Sequence, residues 1–323
     1  MALDGIVEEY LQMRRQQGAA GAETPDPAAL RMEETALRAR HGTGPEMAAV
    51  ENFDVDVSGG SIRVRLLWPN LVPEAVVVYF HGGGWVVGDI DDYDALARTF
   101  AQDTGCVVAM VNYRKAPEHR YPTAVNDALE GAIWVEARVA GSLGRRIPLI
   151  VAGDSAGGNL AAVLAQQSTD NSAPRIDLQV LIYPVLDSTM DSPSYLDPAN
   201  ALLLTRDYMA WFWDQYAPRL ADRSTVAAAP ARASSLEGLP PAIIVAAEHD
   251  VLRDEGEAYA RRLKADGVKV AHRVFSGQMH GFFSLHNVLP ASELARTWVA
   301  AEIIRYLRAV KPAQDQISRK VPS

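Results

Sequence analysis

The sequence is poor in cysteine, carries fewer basic than acidic residues, and shows no long apolar leader. Its one cysteine, Cys106, excludes an internal disulfide. The formal net charge of -9 argues against a nucleic-acid-binding surface, because phosphate binding requires clustered Lys and Arg. No Cys and His spacing suggests a zinc site. Residues 1–20 carry acidic side chains and lack the apolar core of a signal peptide, so we expect a cytoplasmic protein without a membrane span.

The apolar pattern divides the 323 residues into five segments. Residues 1–50 have helical periodicity, and residues 51–186 open with a hairpin pattern before apolar strands alternate with helices. Residues 187–225 interrupt the alternation with an insertion that becomes aromatic, which makes them a candidate lid. Residues 226–310 resume it, and residues 311–323 are expected to form a flexible tail. Unbroken apolar strands joined by helices predict an α/β fold with a mostly parallel sheet covered on both faces.

The stretch LIVAGDSAGGNLAAVLA places Ser155 between glycines, where a predicted strand ends and a predicted helix begins. In this context a G-x-S-x-G motif is typical of a nucleophile held on a strained turn. The N-terminus of the helix then faces the reaction centre with free N–H groups that stabilise negative charge. The alternative is an ordinary tight connection in which small residues are simply tolerated.

A nucleophilic serine needs a base, and the base needs an orienting acid. His280 follows a predicted strand in a Gly-flanked loop, so we interpret it as the base. Asp250 also follows a strand, and it is the first carboxylate clear of the next helix. Glu248 is the rival acid, whereas Asp254 is predicted to cap that helix, with Glu257 completing a capping box. All these positions lie at carboxyl ends of strands, where catalytic groups gather in parallel sheets.

The segment YFHGGGWVVGD places three glycines directly after a buried strand. Such a loop lets backbone N–H groups approach a substrate, and with the N–H of Ala156 it can form an oxyanion hole. A phosphate-binding loop is disfavoured because the G-x-G-x-x-G spacing is absent. We interpret His81 as a structural residue that holds this loop by hydrogen bonding.

Aromatic residues supply candidates for substrate contacts. The helix RDYMAWFWDQY is expected to pack the lid, and Tyr208 and Phe212 are predicted to line an acyl pocket. Trp85, beside the glycine loop, and Tyr183, after a core strand, are further candidates for the pocket wall.

Five motifs then occur in order: HGGGW, NYRKAPEHRYP, GDSAGGNLA, EHDVLRDEG and HGF. Together they resemble those of the bacterial hormone-sensitive-lipase-like esterases, the family IV carboxylesterases. The resemblance implies an α/β-hydrolase fold with a helical cap made from residues 1–50 and 187–225. It also implies hydrolysis of small esters with short or medium acyl chains, with no cofactor or metal, and a possible homodimer.

Carried over by motif, the resemblance implies a nucleophile, an acid and a base: Ser155, Asp250 and His280. It further implies three backbone donors to the oxyanion: Gly83, Gly84 and Ala156.

Two positions depart from the family pattern. Val251 stands where proline is usual, and Lys115 stands where an apolar residue is common, which leaves the substrate preference open. An amidase, a lactonase or an arylformamidase would use the same triad. A long-chain lipase would need an extended apolar tunnel, and a non-catalytic small-molecule receptor on this fold would typically have lost the histidine.

Overall fold

The computed structural model describes residues 2–16, 26–169 and 173–318. Eight strands form one sheet in the order β1-β2-β4-β3-β5-β6-β7-β8. The strands are β1 Ala49–Val57, β2 Gly60–Trp68, β3 Val76–Phe80, β4 Val107–Asn112, β5 Leu149–Asp154, β6 Leu178–Ile182, β7 Ala242–His249 and β8 Val270–Met279. Strands β3 to β8 run parallel, whereas β1 and β2 form the antiparallel hairpin that the sequence predicts. The predicted α/β fold with a mostly parallel sheet is confirmed.

Two of the helices, α2 and α7, begin at a side-chain cap. Asp26 accepts a hydrogen bond from the N–H of Ala29 at 3.1 Å ahead of α2, and Thr205 accepts one from Tyr208 at 3.1 Å ahead of α7. The helices are α1 Gly5–Gln16, α2 Pro27–His41, α3 Asp94–Thr104, α4 Thr123–Leu143, α5 Ala156–Gln167, α6 Pro193–Leu196, α7 Arg206–Tyr216, α8 Leu220–Arg223, α9 Arg253–Ala265 and α10 Pro290–Ser318. Two short 3₁₀ helices lie at Pro198–Asn200 and Pro230–Arg232.

The sheet separates two apolar cores. Along β3 every side chain is buried, and successive residues alternate between the faces, so Val77 and Val78 enter different cores. The core that contains Val78 is closed by α4, α5 and α9, and the core that contains Val77 is closed by α1, α3 and α10. Because both faces are covered, the central strands read as continuous apolar runs rather than as alternating ones.

The parallel arrangement brings the carboxyl ends of β3, β5, β7 and β8 to one edge of the sheet. The glycine loop follows β3, Ser155 follows β5, Asp250 follows β7 and His280 follows β8. The topology alone therefore gathers the predicted catalytic groups at the edge where ligands bind in such sheets.

Helix α10 continues to Ser318 although Pro312 lies within it, and residues 319–323 lie outside the described residues. The flexible tail stays a prediction. None of the helices in the described ranges combines the length and the apolar character needed to cross a bilayer. The cytoplasmic location stays a prediction.

Candidate active site

The turn between β5 and α5 holds Ser155 in a conformation that side-chain-bearing residues rarely adopt, with φ 54° and ψ -117°. Glycine is required on both sides of this turn. A Cβ on Gly153 would lie 2.3 Å from the backbone of Gly157, and a Cβ on Gly157 would lie 1.9 Å from the carbonyl oxygen of Phe80. The strained, crowded turn matches the nucleophile interpretation of the sequence rather than that of an ordinary connection.

His280 links the serine to an acid. Its Nε2 lies 3.0 Å from Ser155 Oγ, and its Nδ1 lies 2.8 Å from Asp250 Oδ2. Asp250 is completely buried, and its other oxygen accepts a hydrogen bond from the N–H of Leu252 at 2.9 Å. A buried, doubly held carboxylate beside Nδ1 keeps the imidazole oriented with Nε2 toward the serine.

The rival carboxylates are occupied elsewhere. Glu248 accepts a hydrogen bond from the N–H of Gly277 at 2.8 Å, which ties β7 to β8. Asp254 accepts one from the N–H of Ser194 at 2.8 Å. The prediction that Asp254 caps α9 is wrong, because the helix already begins at Arg253 and the cap position is Leu252, which makes no side-chain cap.

The three backbone N–H groups predicted to form the oxyanion hole, those of Gly83, Gly84 and Ala156, have no hydrogen-bond acceptor among the described residues. Gly83 and Gly84 have φ values of 109° and 59°, so the loop uses the conformational freedom of glycine. A Cβ on Gly84 would lie 2.1 Å from Cδ1 of Phe212, which shows that the loop packs directly under α7.

Asp154 anchors the glycine loop to the serine turn, a role that the sequence analysis missed. Its carboxylate is buried and accepts hydrogen bonds from the N–H of Gly82 at 3.0 Å, Tyr79 Oη at 3.0 Å and Tyr93 Oη at 3.1 Å. Burial raises the pKa of Asp154 to about 6, although the two tyrosine hydrogen bonds oppose the rise. The only signal for this role in the sequence is an aspartate at the first variable position of the G-x-S-x-G motif.

His81 is placed as predicted for a structural residue. Its ring is fully buried and stacks on Tyr113 at 4.4 Å, and Nδ1 lies 2.7 Å from the carbonyl oxygen of Gly82. Burial lowers the pKa of His81 to about 3, so the ring is neutral and donates to that carbonyl.

A pocket of about 180 Å³ opens above Ser155 and His280. Tyr208 and Phe212 from α7 line it, together with Leu203, Leu204, Met209 and Val87. These contacts place the two predicted aromatic side chains beside the reaction centre, and helix α2 reaches the same pocket through Glu34.

The other two predicted pocket residues are placed differently. Trp85 is completely buried, and its ring stacks on Tyr216 at 4.3 Å beneath α7. Its backbone has a φ of 61°, and its side chain lies in the core and not in the pocket. Tyr183 lies against the His280 ring at 4.7 Å, and its hydroxyl accepts a hydrogen bond from the N–H of Ser284 at 3.3 Å. Tyr183 therefore supports the histidine loop, and neither residue lines the pocket.

The comparison with known proteins agrees with this geometry. A family model described as the alpha/beta hydrolase fold matches residues 77–284, which is more than half of the chain and includes Ser155, Asp250 and His280. The chain belongs to the hormone-sensitive-lipase-like α/β-hydrolases. A carboxylesterase of this kind from Mycobacterium tuberculosis, NlhH, is 40% identical over 254 residues, covering 77% of this chain and 79% of the relative.

Other relatives of this hydrolase chain match nearly all of it. An ethyl acetate hydrolase of Pseudomonas putida is 34% identical over 323 residues, covering 95% of this chain and 100% of the relative. Among solved structures, a hyperthermophilic esterase from Pyrobaculum calidifontis superposes with a TM-score of 0.85 at 36% identity. That superposition covers 94% of this chain and 99% of the esterase.

The two departures from the family pattern lie within the described ranges, and neither side chain lines the pocket. Lys115 donates a hydrogen bond to Asn112 Oδ1 at 3.1 Å, and burial lowers its pKa. Val251 is buried, and its carbonyl accepts a hydrogen bond from Ser194 Oγ at 2.6 Å. Within the described residues no group of three or more His, Cys, Asp or Glu side chains could hold a metal ion.

Proposed function

We propose that this hydrolase cleaves small carboxylic esters with short or medium acyl chains through an acyl-enzyme on Ser155. Ester hydrolysis is the reaction class of the family to which the chain belongs. The observation that carries the residue roles is the hydrogen-bonded series from Asp250 to His280 to Ser155, with contacts of 2.8 Å and 3.0 Å.

In this mechanism His280 Nε2 removes the proton from Ser155 Oγ as the oxygen bonds to the ester carbonyl carbon. The resulting imidazolium returns that proton to the alkoxide when the bond to the alcohol breaks. Water then attacks the acyl-enzyme with His280 as base again, and the carboxylic acid leaves while the serine regains its proton. Asp250 stabilises the imidazolium in both halves of the reaction without being protonated itself.

The negative oxygen of each tetrahedral intermediate is proposed to accept hydrogen bonds from the N–H groups of Gly83, Gly84 and Ala156. The free donors and the N-terminus of α5 both favour negative charge at this point. Because Asp154 ties the loop to the serine turn, the donors are held in place before the substrate arrives.

Three observations support the preference for small esters. The cavity of about 180 Å³ is smaller than the roughly 300–1,000 Å³ of pockets that hold drug-sized ligands. Its walls are mainly apolar, which suits a short alkyl chain. The relative named as an ethyl acetate hydrolase points to the same substrate size.

We infer that residues 1–50 and 187–225 together form a cap over the pocket, with residues 51–186 and 226–310 as the hydrolase core. The inference is supported by α2 and α7, since both contribute side chains to the same pocket wall. The homodimer and the absence of a cofactor stay predictions.

The test is hydrolysis of p-nitrophenyl esters from acetyl to palmitoyl by the wild type and by Ser155→Ala. We expect turnover to be highest for short or medium chains and to be lost in the variant. Ser168→Ala, at the other end of the same helix, is the matched control and should keep full activity.

Labelling of Ser155 by an organophosphate separates the ways in which this proposal can fail. If Ser155 is labelled but no ester is cleaved, the triad acts on another acyl group, and amides, lactones and aryl formamides become the substrates to assay. If Ser155 is not labelled, the nucleophile assignment is wrong and a receptor role on this fold takes its place.

A further inference from the structure

Glu34, on helix α2, lines the pocket above Ser155, and no step of the proposed hydrolysis uses it. The other acidic side chain of the pocket wall, Asp154, is fully engaged by its three hydrogen bonds to the glycine loop and the tyrosines. Glu34 is therefore the carboxylate of this wall that remains open to a ligand.

The charges around Glu34 are already paired with each other. Arg14 binds Glu33 with an N to O distance of 2.5 Å, and Arg38 binds Asp92 at 2.8 Å. Across the described part of the chain, no hydrogen bond or ion pair reaches the Glu34 carboxylate. The Glu34 carboxyl group therefore faces the pocket without an ion-pair partner among the described residues.

Aromatic rings stand on the same wall. Tyr208 and Phe212 line the pocket with their ring centroids 4.6 Å apart, and Tyr208 keeps part of its surface exposed. The face of an aromatic ring attracts a cation within about 6 Å of its centroid, through the negative charge density of the ring. Phe212 is buried beneath Tyr208, so the partly exposed ring of Tyr208 and the Glu34 carboxylate are the groups that can bind an ammonium group.

The pKa of Glu34 determines the pH range in which its side chain carries a negative charge. Enclosure by the surrounding protein raises the pKa of Glu34 to about 7, Asp92 and Glu33 add to the rise, and the charge of Arg14 opposes it. The side chain is also exposed to solvent at the mouth of the pocket, and water offsets part of this rise. The carboxylate is thus predominantly ionised at mildly alkaline pH.

We propose that Glu34 is a specificity-determining residue that favours esters carrying a cationic ammonium group over neutral esters of the same shape. This inference rests on the proposed ester hydrolysis. The same charge disfavours esters that carry a carboxylate. The ammonium group belongs to the alcohol or to the acyl part of the ester, and paired substrates distinguish the two.

The experiment compares isosteric esters at about pH 8, where the carboxylate is ionised. One pair is acetylcholine and its carbon analogue, in which a tert-butyl group replaces the trimethylammonium group. The second pair carries the same replacement at the end of the acyl chain of an ethyl ester. The readout is the ratio of kcat/KM for the cationic ester to kcat/KM for the neutral one.

We expect Glu34→Gln to lower this ratio about fivefold, the size of a partly solvated charge pair, and to do so mainly through KM. Glu34→Lys should lower it further, and the pair that responds identifies which part of the ester lies beside Glu34. Glu237→Gln is the matched control, because it removes the same charge from an exposed side chain that does not line the pocket.

An unchanged ratio for both pairs in Glu34→Gln and Glu34→Lys, with both variants folded by thermal unfolding, would overturn the inference. A change of the same size in Glu237→Gln would do so as well, since it would indicate a long-range effect of charge. A wild type that cleaves neither neutral ester is a different result, because it refutes the proposed function itself.

Discussion

Replacing Gly84 with alanine tests whether the cap and the oxyanion loop are joined by direct packing. The new Cβ would lie 2.1 Å from Cδ1 of Phe212, whereas carbon atoms in contact stay about 3.5–4.0 Å apart. The ring or the loop must therefore move by more than about 1 Å. Gly84 also has a φ of 59°, which alanine adopts only with strain.

The two effects have separable magnitudes. The left-handed conformation costs a residue with a Cβ about 1–2 kcal/mol, and forcing extra atoms into a packed site costs about 1–3 kcal/mol. Both costs reduce the free energy of unfolding. If the loop moves instead of the ring, one donor to the oxyanion is displaced, which lowers kcat about 100-fold or more.

The assay is a double-mutant cycle with Gly84→Ala, Phe212→Ala and the pair, followed by kcat/KM for p-nitrophenyl acetate and by thermal unfolding. Removing the ring should restore part of the activity lost in Gly84→Ala, so the two changes will not be additive. Gly144→Ala is the control for backbone strain alone, because Gly144 has a φ of 65° and nothing within 4 Å of its Cβ position. Additive effects, or full activity in Gly84→Ala, would refute the packing argument.

Two further substitutions test the carboxylates of the site. Asp250→Asn keeps the shape beside His280 Nδ1 but removes the charge, so kcat should fall about 1,000- to 10,000-fold with little change in KM; steady-state kinetics that show a loss smaller than tenfold would contradict the assigned role. Asp154→Asn tests the buried anchor through stability. The pKa of Asp154 is raised to about 6 in the folded protein, so the protonated side chain stabilises the fold. This stabilisation is fully present below the ordinary carboxyl pKa and is lost as the pH rises through 6. The wild type should therefore gain stability relative to the variant as the pH falls from about 7 to about 4, and parallel melting curves across that range would show that the pKa is not raised.

The nucleophile and its partners could be predicted because their signals are local. Ser155 follows an apolar strand and precedes a helix, and glycines flank it where any Cβ would collide with backbone. Asp250 and His280 each follow a strand, and parallel topology brings such positions to one edge without knowledge of the individual contacts.

Trp85 could not be predicted because its orientation depends on a distant partner. In the sequence it adjoins the glycine loop, which suggests a place in the pocket wall. Its ring instead stacks on Tyr216, which lies more than a hundred residues further along the chain in α7. Its position next to the glycine loop in the sequence predicts where its backbone lies. The direction of its side chain depends on the tertiary contact with Tyr216.

Asp154 shows the same limit at the centre of the site. Two of its partners, Tyr79 and Gly82, lie on or just after β3, which is adjacent to β5 in the sheet although β4 comes between them in the chain. A motif read along the chain cannot show which strand lies beside it. The strand order supplies that information, and with it the reason why an acid precedes the nucleophile.

These contacts connect the serine turn, the glycine loop and the cap into one packed series. Asp154, in the serine turn, accepts a hydrogen bond from the N–H of Gly82 in the glycine loop. Phe212 of α7 packs against the same loop at Gly84. Phe212 also forms part of the pocket wall. A substitution at Phe212 that reshapes the pocket therefore also removes the surface against which the oxyanion donors are held. A substitution at Phe212 therefore changes both the size of substrate that fits and the stabilisation of the transition state. A variant with a larger pocket at this position needs another side chain to support the glycine loop.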